Sequence, residues 1–152
     1  TRRLFRSTDL YATLRDITGQ AAEDLGGEDS FSLVPAFDGE ASTGRTTLVS
    51  HSIGGSFSIR KGDWKLCLSA GSGGWSAPRE ADAKKQKLPP MQLFNLKFDR
   101  GEQKNLIEEN PTKLEELLQI LASEVQQGRC TLGNPVSNDR QVSFLPAGVT
   151  MP

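Results

Sequence analysis

Two alternating runs of apolar residues around a short turn, within residues 56–68, constrain the fold of this chain more than any other feature of its sequence. The apolar members of these runs are Phe57, Ile59, Trp64, Leu66 and Leu68. Period-two alternation on both sides of a Gly-containing turn is typical of a β-hairpin with one face against a core. The sequence therefore predicts a hairpin that buries these side chains together.

Two further segments are predicted to be strands. Residues 46–50 are rich in β-branched side chains and run into His51, and residues 91–98 are partly apolar on both faces. With the hairpin, they predict a small antiparallel sheet of about four strands.

A helix is predicted over residues 110–128. Asn110 suits the cap and Pro111 the first helical position, and apolar residues then recur every third or fourth position until Gly128. The sheet and this helix predict an α+β fold in which the sheet packs against a C-terminal helix.

A shorter helix is predicted near the start of the chain. Thr8 suits its N-cap and Gly19 the position after its last turn. Leu10, Leu14 and Ile17 then fall on one side of the helix and form an apolar stripe.

The remaining segments are less regular. Residues 20–28 predict a loop and residues 40–45 a linker, whereas residues 29–39 predict either a buried helical turn or an irregular segment. Residues 79–90 predict a solvated loop, and the chain from residue 129 onward predicts an irregular surface tail because it has no periodicity.

Length and charge limit the classes of partner. The chain has 152 residues, 36% of them hydrophobic, and a formal net charge of -1, which fits one domain, or one domain with a piece of another. So small a charge gives no strong attraction to nucleic acid or anionic lipid, and no apolar run approaches the roughly 20 residues of a membrane helix. We therefore expect no nucleic-acid and no membrane partner.

The two cysteines, Cys67 and Cys130, are too few for a disulfide framework or a zinc site. Cys67, in a predicted strand, suits a small buried thiol. Alternatively, a bridge between the two would close a long loop and stabilise the fold by roughly 3–5 kcal/mol.

Five segments, in the same order and with similar spacing, resemble type I sulfatases, especially the arylsulfatase and N-acetylgalactosamine-6-sulfatase-like group. Residues 9–19 resemble the helix "DLYPTLxxLAG", and residues 29–39 resemble "DGxSLLPLLxG". Residues 51–66 resemble a strand ending in His-Ser before an "IRxGxWKL" hairpin. Residues 92–111 and 129–133 resemble the strand, turn, helix and "RSTPG" close of the family.

The resemblance implies a domain organisation. Residues 1–40 correspond to the tail end of the large N-terminal α/β domain, with its last helix as a remnant. Residues 41–134 correspond to the C-terminal subdomain, and residues 135–152 to an irregular tail. Since the chain opens at Thr1 without a leader, we expect an excised fragment. Its partner is then the remaining N-terminal sulfatase domain, and the resemblance implies a periplasmic or secreted protein.

The resemblance also implies a chemistry that this chain cannot carry out alone. Sulfatases cleave sulfate esters with a formylglycine, made from the first residue of a C/S-x-P-S-R motif, beside a divalent cation, usually calcium. Neither Cys67 nor Cys130 lies in that motif, and the acidic metal-binding pairs of the family are missing. We therefore expect no catalytic residue and no metal ligand in this chain. Calcium and formylglycine are expected in the full-length enzyme, which would act on sulfated glycans or aryl sulfates.

Within this chain, the residues that the resemblance places at the rim of the substrate cleft are His51 and Ser52. Histidine can donate a hydrogen bond to a sulfate or a sugar hydroxyl. The alternative for His51 is a hydrogen-bonded histidine at the end of a strand.

A second function is a free-standing carbohydrate-binding module. Trp75, in a Gly/Ser-rich loop, could stack on a sugar ring, or it could fold back on the sheet. Arg60, Lys61 and Lys65 could guide an anionic glycan, or they could form a solvated sheet face.

Separated from a larger domain, the apolar residues of the first 40 positions would face water. Each such side chain left exposed forgoes roughly 1.5–3 kcal/mol. We therefore expect that residues 1–40 either fold back on the sheet or mediate a homodimer, and the homodimer is preferred because so short a helix is marginal unless its apolar face is covered.

Overall fold

The computed structural model describes residues 4–20, 26–40 and 44–151, so interpretations that fall on residues 1–3, 21–25, 41–43 and 152 lie outside the described residues. The chain divides into two compact units. The first unit comprises Thr1–Leu48 and Ser123–Gln141, and the second comprises Val49–Ala122 and Val142–Pro152. The domain boundaries that the sequence suggests stay a prediction.

The described chain contains four helices and four strands. In order, they are α1 (Asp9–Thr18), α2 (Val34–Phe37), β1 (Thr47–His51), β2 (Phe57–Lys61), β3 (Trp64–Cys67), α3 (Glu80–Lys85), β4 (Gln92–Asn95) and α4 (Pro111–Gln127).

The strands form one four-stranded antiparallel sheet in the order β1-β2-β3-β4, which confirms the predicted α+β fold. In the register of the three last strands, Ile59 lies opposite Leu66, and Leu66 lies opposite Leu93. All three side chains are fully buried in one row across the sheet. Of the five hairpin residues expected in the core, Phe57 and Trp64 are only half-buried because they lie at the ends of their strands.

Helix α4 covers the same face of the sheet. Because side chains alternate between the faces of a strand, Lys61 and Trp64 share the face of Ile59 and Leu66. Lys61 forms a salt bridge with Glu116 of α4, and the buried residues of this helix are Leu117, Leu118 and Leu121. The predicted C-terminal helix and its position against the sheet are therefore confirmed.

Residues 79–90 were predicted to be a solvated loop, and this prediction is wrong. They contain α3, whose Ala83 is fully buried, with acidic residues in its first turn and lysines in its last turn. That charge order suits the helix dipole. Periodicity missed this helix because a single small alanine anchors it.

The last strand is shorter than predicted. It ends at Asn95, whose side-chain oxygen accepts a hydrogen bond from the N–H of Lys97 at 3.1 Å, while its carbonyl accepts one from Phe98 at 3.2 Å. This turn leaves Phe98 outside the sheet.

Helix α1 has the predicted bounds but buries the opposite side. Gly19 takes the left-handed conformation at φ 69° as expected, and Thr8 forms no side-chain cap. Asp9 and Thr13 are buried, whereas Leu10, Leu14 and Ile17 are between 55% and 63% exposed. The alternative in which this stripe is covered by folding back is therefore wrong for the described residues.

The segment 29–39 forms the four-residue helix α2, which decides between the two alternatives in favour of a helical turn. It is not buried as expected, since none of its residues is buried and Phe37 is exposed.

Candidate functional site

A turn and a loop lie side by side at one end of the sheet, and we call residues 51–55 together with residues 69–78 the rim. β1 ends here, β2 begins here, and β3 runs out here into the loop. The N–H of Gly54 donates to the carbonyl oxygen of Gly73 at 3.2 Å, which joins the two segments. The rim therefore gathers the predicted site residues and Trp75 in one region of the second unit.

His51 is exposed at the end of β1. Its ring lies edge-on to Phe57, with ring centroids 3.9 Å apart and an interplanar angle of 88°. Phe57 in turn lies edge-on to Phe144, with centroids 6.3 Å apart. No hydrogen bond links the imidazole to any other described residue, so the hydrogen-bonded strand-end alternative is not what the structure shows. The ring nitrogens are available to donate to or accept from a bound molecule.

Ser52 takes part in the turn itself. Its hydroxyl oxygen accepts a hydrogen bond from the N–H of Ser56 at 3.1 Å, and its side chain lies against Gly73. A Cβ added at Gly73 would lie 2.9 Å from the Cβ of Ser52, and Gly73 has φ 70°, so both the close approach and the backbone require glycine. Ser52 thus positions the rim loop, and its predicted substrate contact stays a prediction.

The rim loop is held by hydrogen bonds at its base. The amide of Gln92 donates to the carbonyl oxygens of Ser69 and Gly71, both at 2.9 Å. The N–H of Gly71 donates to a carboxylate oxygen of Glu80 at 3.0 Å, and the N–H of Ser72 donates to Pro78 at 2.9 Å. A loop fixed in this way presents its tip in a defined position.

Trp75 stands at that tip and is 79% exposed. Of the two alternatives for Trp75, the one in which it folds back on the sheet is therefore wrong, because backbone and side-chain hydrogen bonds at the base hold the loop and the indole is not needed to anchor it. Ile53, on the neighbouring turn, is also exposed, and its side chain faces Gly74. Together they give the rim an apolar edge beside His51.

The basic residues of the hairpin are not brought to the rim. Lys61 pairs with Glu116 at 2.9 Å, and Lys65 pairs with Glu102 at 2.7 Å. Arg60 donates to the carbonyl oxygen of Gly62 at 3.0 Å, in the turn at the other end of the hairpin. Their predicted role as a guide for an anionic ligand therefore has no support at this site.

The two thiols are poor nucleophiles in their surroundings, and both are free. Burial raises the pKa of Cys67. Burial, and then a hydrogen bond to Asp29, raises the pKa of Cys130 to about 12. Because the thiolate is the reactive form, neither thiol suits nucleophilic catalysis near neutral pH.

The sequence did not point to a buried charged cluster in the first unit. Asp9 and Arg45 form a salt bridge with both side chains fully buried, and the Arg45 guanidinium lies 4.4 Å from the Phe31 ring centroid. A second Arg45 hydrogen bond goes to the carbonyl oxygen of Asp29 at 2.8 Å. The only signal of this cluster was an arginine in a segment otherwise typical of a linker.

The described residues contain neither a metal-binding cluster nor a membrane-spanning helix. They contain no group of three His, Cys, Asp or Glu side chains that could hold a metal ion. None of the described helices is long and apolar enough to cross a membrane.

No protein-family model matches the sequence, and no curated protein matches it. Solved structures of sulfatases do match its fold. One is BT33336S-sulf, from the metabolism of multiple glycosaminoglycans by Bacteroides thetaiotaomicron, with 24% identity and a TM-score of 0.62 over 80% of this chain and 25% of that chain. Another is Ps i-CgsB, with 21% identity and a TM-score of 0.53 over 76% of this chain and 23% of that chain. Its complex with k-i-k-neocarrahexaose matches over the same shares with 21% identity and a TM-score of 0.51.

The chain thus spans about a quarter of the length of the solved structures that it matches. At these identities the similarity is one of fold: the chain folds like a part of known sulfatases.

Proposed function

We propose that this chain is the C-terminal part of a sulfatase, a hydrolase of sulfate esters, and that it completes the fold and borders the substrate cleft. The observation that carries the proposal is the fold similarity, which covers 80% of this chain but only 25% of the sulfatase chain. The ordered resemblance of five segments supports the same assignment. The parent protein is then periplasmic or secreted.

The catalytic chemistry belongs to the rest of the parent polypeptide. Calcium requires several oxygen ligands, and the described residues contain no cluster that fits it. No step of the reaction is therefore assigned to a metal or a formylglycine held by this chain. Both would be supplied by the N-terminal domain.

At the rim, His51 would donate a hydrogen bond to a sulfate oxygen or a sugar hydroxyl, with its ring held by Phe57. Trp75 and Ile53 would lie against the apolar face of a sugar ring. We propose sulfated glycans as substrates, and favour them over aryl sulfates, because an exposed indole on the same rim as an imidazole with available ring nitrogens suits a pyranose. Two proteins of similar fold are also described with glycosaminoglycans and with neocarrahexaose.

The N-terminal domain would cover the outward face of α1, made of Leu10, Leu14 and Ile17. A helix that buries Asp9 and Thr13 while exposing three large apolar side chains needs a second apolar surface against it. The parent domain provides that surface in this proposal, and a second copy of the chain replaces it when the chain is alone.

The proposal is tested with the parent enzyme and with the 152-residue chain. The chain alone should hydrolyse no aryl sulfate and show no calcium-dependent shift in Tm, because nucleophile and metal ligands are both missing. In the parent, His51→Ala should lower kcat/KM for a sulfated oligosaccharide by about 10-fold or more, the loss of one charge-assisted hydrogen bond, with Tm unchanged. Gln126→Ala, at an exposed position of α4, is the control.

Hydrolysis by the chain alone would contradict the proposal, and so would an upstream sequence without C/S-x-P-S-R. A fall in Tm of His51→Ala with unchanged activity per folded molecule would assign that residue to structure only.

The second candidate function is the free-standing carbohydrate-binding module, which the exposure of Trp75 favours. It requires that the chain alone binds an oligosaccharide and that Trp75→Ala abolishes binding. Tryptophan fluorescence titration of the chain and of this variant distinguishes it from the sulfatase proposal when read together with the upstream sequence.

A further inference from the structure

A groove of about 380 Å³ lies in the second unit, between the turn of the hairpin, the turn after β4 and the first turns of α4. We call it the lysine groove, after Lys61, Lys97 and Lys113 in its lining. Trp64 and Phe98 form its aromatic walls.

The lysine groove is at the opposite end of the sheet from the rim. β2 starts beside the rim at Phe57 and reaches the groove at Lys61. Five residues of extended strand span about 13 Å, so the two regions are separate sites.

Each aromatic wall carries a lysine. The ammonium of Lys97 lies 5.2 Å from the centroid of the Phe98 ring, and that of Lys113 lies 6.0 Å from the Trp64 ring. Phe98 is 81% exposed, although an aromatic ring of this size would gain from burial. The groove thus presents a largely exposed ring that has a cation over one face.

The charge of the lining is positive. Three lysines face two carboxylates, Asp63 and Glu116. Lys61 and Lys113 share Glu116, and their hydrogen bonds hold the pKa of that carboxyl below its usual value, so it stays ionised. Among the described residues, Lys97 forms no salt bridge, which leaves its charge available to a ligand.

We propose that the lysine groove binds a sugar unit that carries a sulfate or carboxylate group, as a second glycan site remote from the rim. The Phe98 ring lies flat against the apolar face of the sugar, and Lys97 pairs with its anionic group, assisted by Lys61. Asn95, in the lining of the groove, offers an amide to the hydroxyl groups.

This inference rests on the proposed function, because a glycan-degrading enzyme meets a polymer long enough to occupy both regions. Holding one part of the polymer raises the effective concentration of the next part at the cleft. The groove therefore predicts a preference for long chains over short ones.

The test measures binding of a chondroitin sulfate hexasaccharide to the 152-residue protein by calorimetry. Lys97→Gln, which removes the ion pair with the anionic group, and Phe98→Ala, which removes the stacking contact, should each raise Kd by about fivefold or more. Lys84→Gln removes the same charge at an exposed position of α3, and Leu132→Ala removes an exposed apolar side chain, so both controls should leave Kd within about twofold.

Three results would contradict the proposal that the lysine groove binds a sugar. Binding that survives Lys97→Gln and Phe98→Ala places the sugar elsewhere, and binding lost only with Trp75→Ala places it at the rim. Equal affinity for a polyglutamate peptide would show attraction to charge without recognition of sugar. A parent without sulfatase activity whose hexasaccharide binding still depends on Lys97 and Phe98 would remove the proposed function and leave the groove standing.

Discussion

At the scale of single residues, the Asp9–Arg45 pair organises the first unit. The Asp9 carboxylate accepts a hydrogen bond from the Arg45 guanidinium. It also accepts hydrogen bonds from the backbone N–H of Arg6, at 2.7 Å, and from that of Phe31, at 3.1 Å. Because a buried charge is tolerated only when it is paired and hydrogen-bonded, these contacts tie α1, the segment before α2 and the start of β1 together.

Removing one partner of this pair should be costly. Arg45→Met leaves the Asp9 charge buried without a partner, so the free energy of unfolding should fall by about 3–5 kcal/mol. The double variant Asp9→Leu with Arg45→Met should lose less free energy of unfolding than the single variant, since no unpaired buried charge remains. Urea denaturation measures both, and a double variant at least as unstable as the single one would contradict the assignment.

Glu124 should make stability depend on pH. Burial, opposed by the hydrogen bond from Thr47 and reinforced by Asp29, raises the pKa of its carboxyl above the usual range. A carboxyl whose pKa is higher in the folded state adds stability below its unfolded pKa, and this is lost as pH rises through the folded pKa. Glu124→Gln should therefore raise Tm at pH 7.5, and the gain should vanish as pH falls below the unfolded pKa of glutamate, about 4.3.

The matched control is Glu115→Gln, an exposed position of the same helix, which should change Tm little at any pH. A Glu124→Gln protein that is less stable at pH 7.5 would show that the carboxylate is favourable where it lies.

At the scale of elements, the rim loop is a segment whose conformation depends on one glycine. Gly73 and Gly19 have nearly the same left-handed φ, 70° and 69°. A Cβ at Gly19 would meet nothing within 4 Å, whereas one at Gly73 would meet Ser52 at 2.9 Å.

Alanine substitutions at these two glycines separate the effect of backbone strain from that of steric crowding. Gly19→Ala should lower the free energy of unfolding by about 1–2 kcal/mol, because a residue with a side chain is strained in the left-handed conformation. Gly73→Ala should lower the free energy of unfolding by more than Gly19→Ala does. It should also shift the NMR resonances of His51 and Trp75, because the loop must move away from Ser52. Equal costs and unchanged rim resonances would mean that the loop is not packed as described.

At the scale of the whole molecule, the outward face of α1 predicts association with a second copy of the chain. Leu10, Leu14 and Ile17 are exposed with Phe37 in the same unit, and apolar surface left in water costs about 25 cal/mol per Å². Contiguous exposed apolar surface of this kind typically marks a protein–protein interaction site.

We expect the 152-residue chain to sediment as a dimer at micromolar concentration and the Leu14→Glu variant to sediment as a monomer. Leu132→Glu places the same charge at an exposed leucine outside this face and should remain dimeric. A monomeric unmodified chain would contradict the dimer, and a dimer that survives Leu14→Glu would place its interface elsewhere.

The candidate site was predictable in its position and not in its surroundings. A strand ending at His51 follows from the β-branched run before it, so the sequence located that residue at the end of the sheet. The exposure of Trp75 depends on a hydrogen bond that Gln92 donates to the loop and one that Glu80 accepts from it, and both residues lie beyond the loop itself. The lysine groove depends on a turn at Asn95 that places Phe98 outside the sheet.

Local periodicity determined the hairpin, the long helix α4 and the bounds of α1, because alternation and 3–4 spacing are properties of neighbouring residues. Only the tertiary structure decided which side of α1 is buried. Its apolar stripe predicted burial, yet Asp9 is held inside by Arg45, which lies 36 positions along the chain. The periodicity of a helix shows that its two faces differ in polarity. Which face is buried depends on residues far along the chain, and a pattern of neighbouring residues does not contain them.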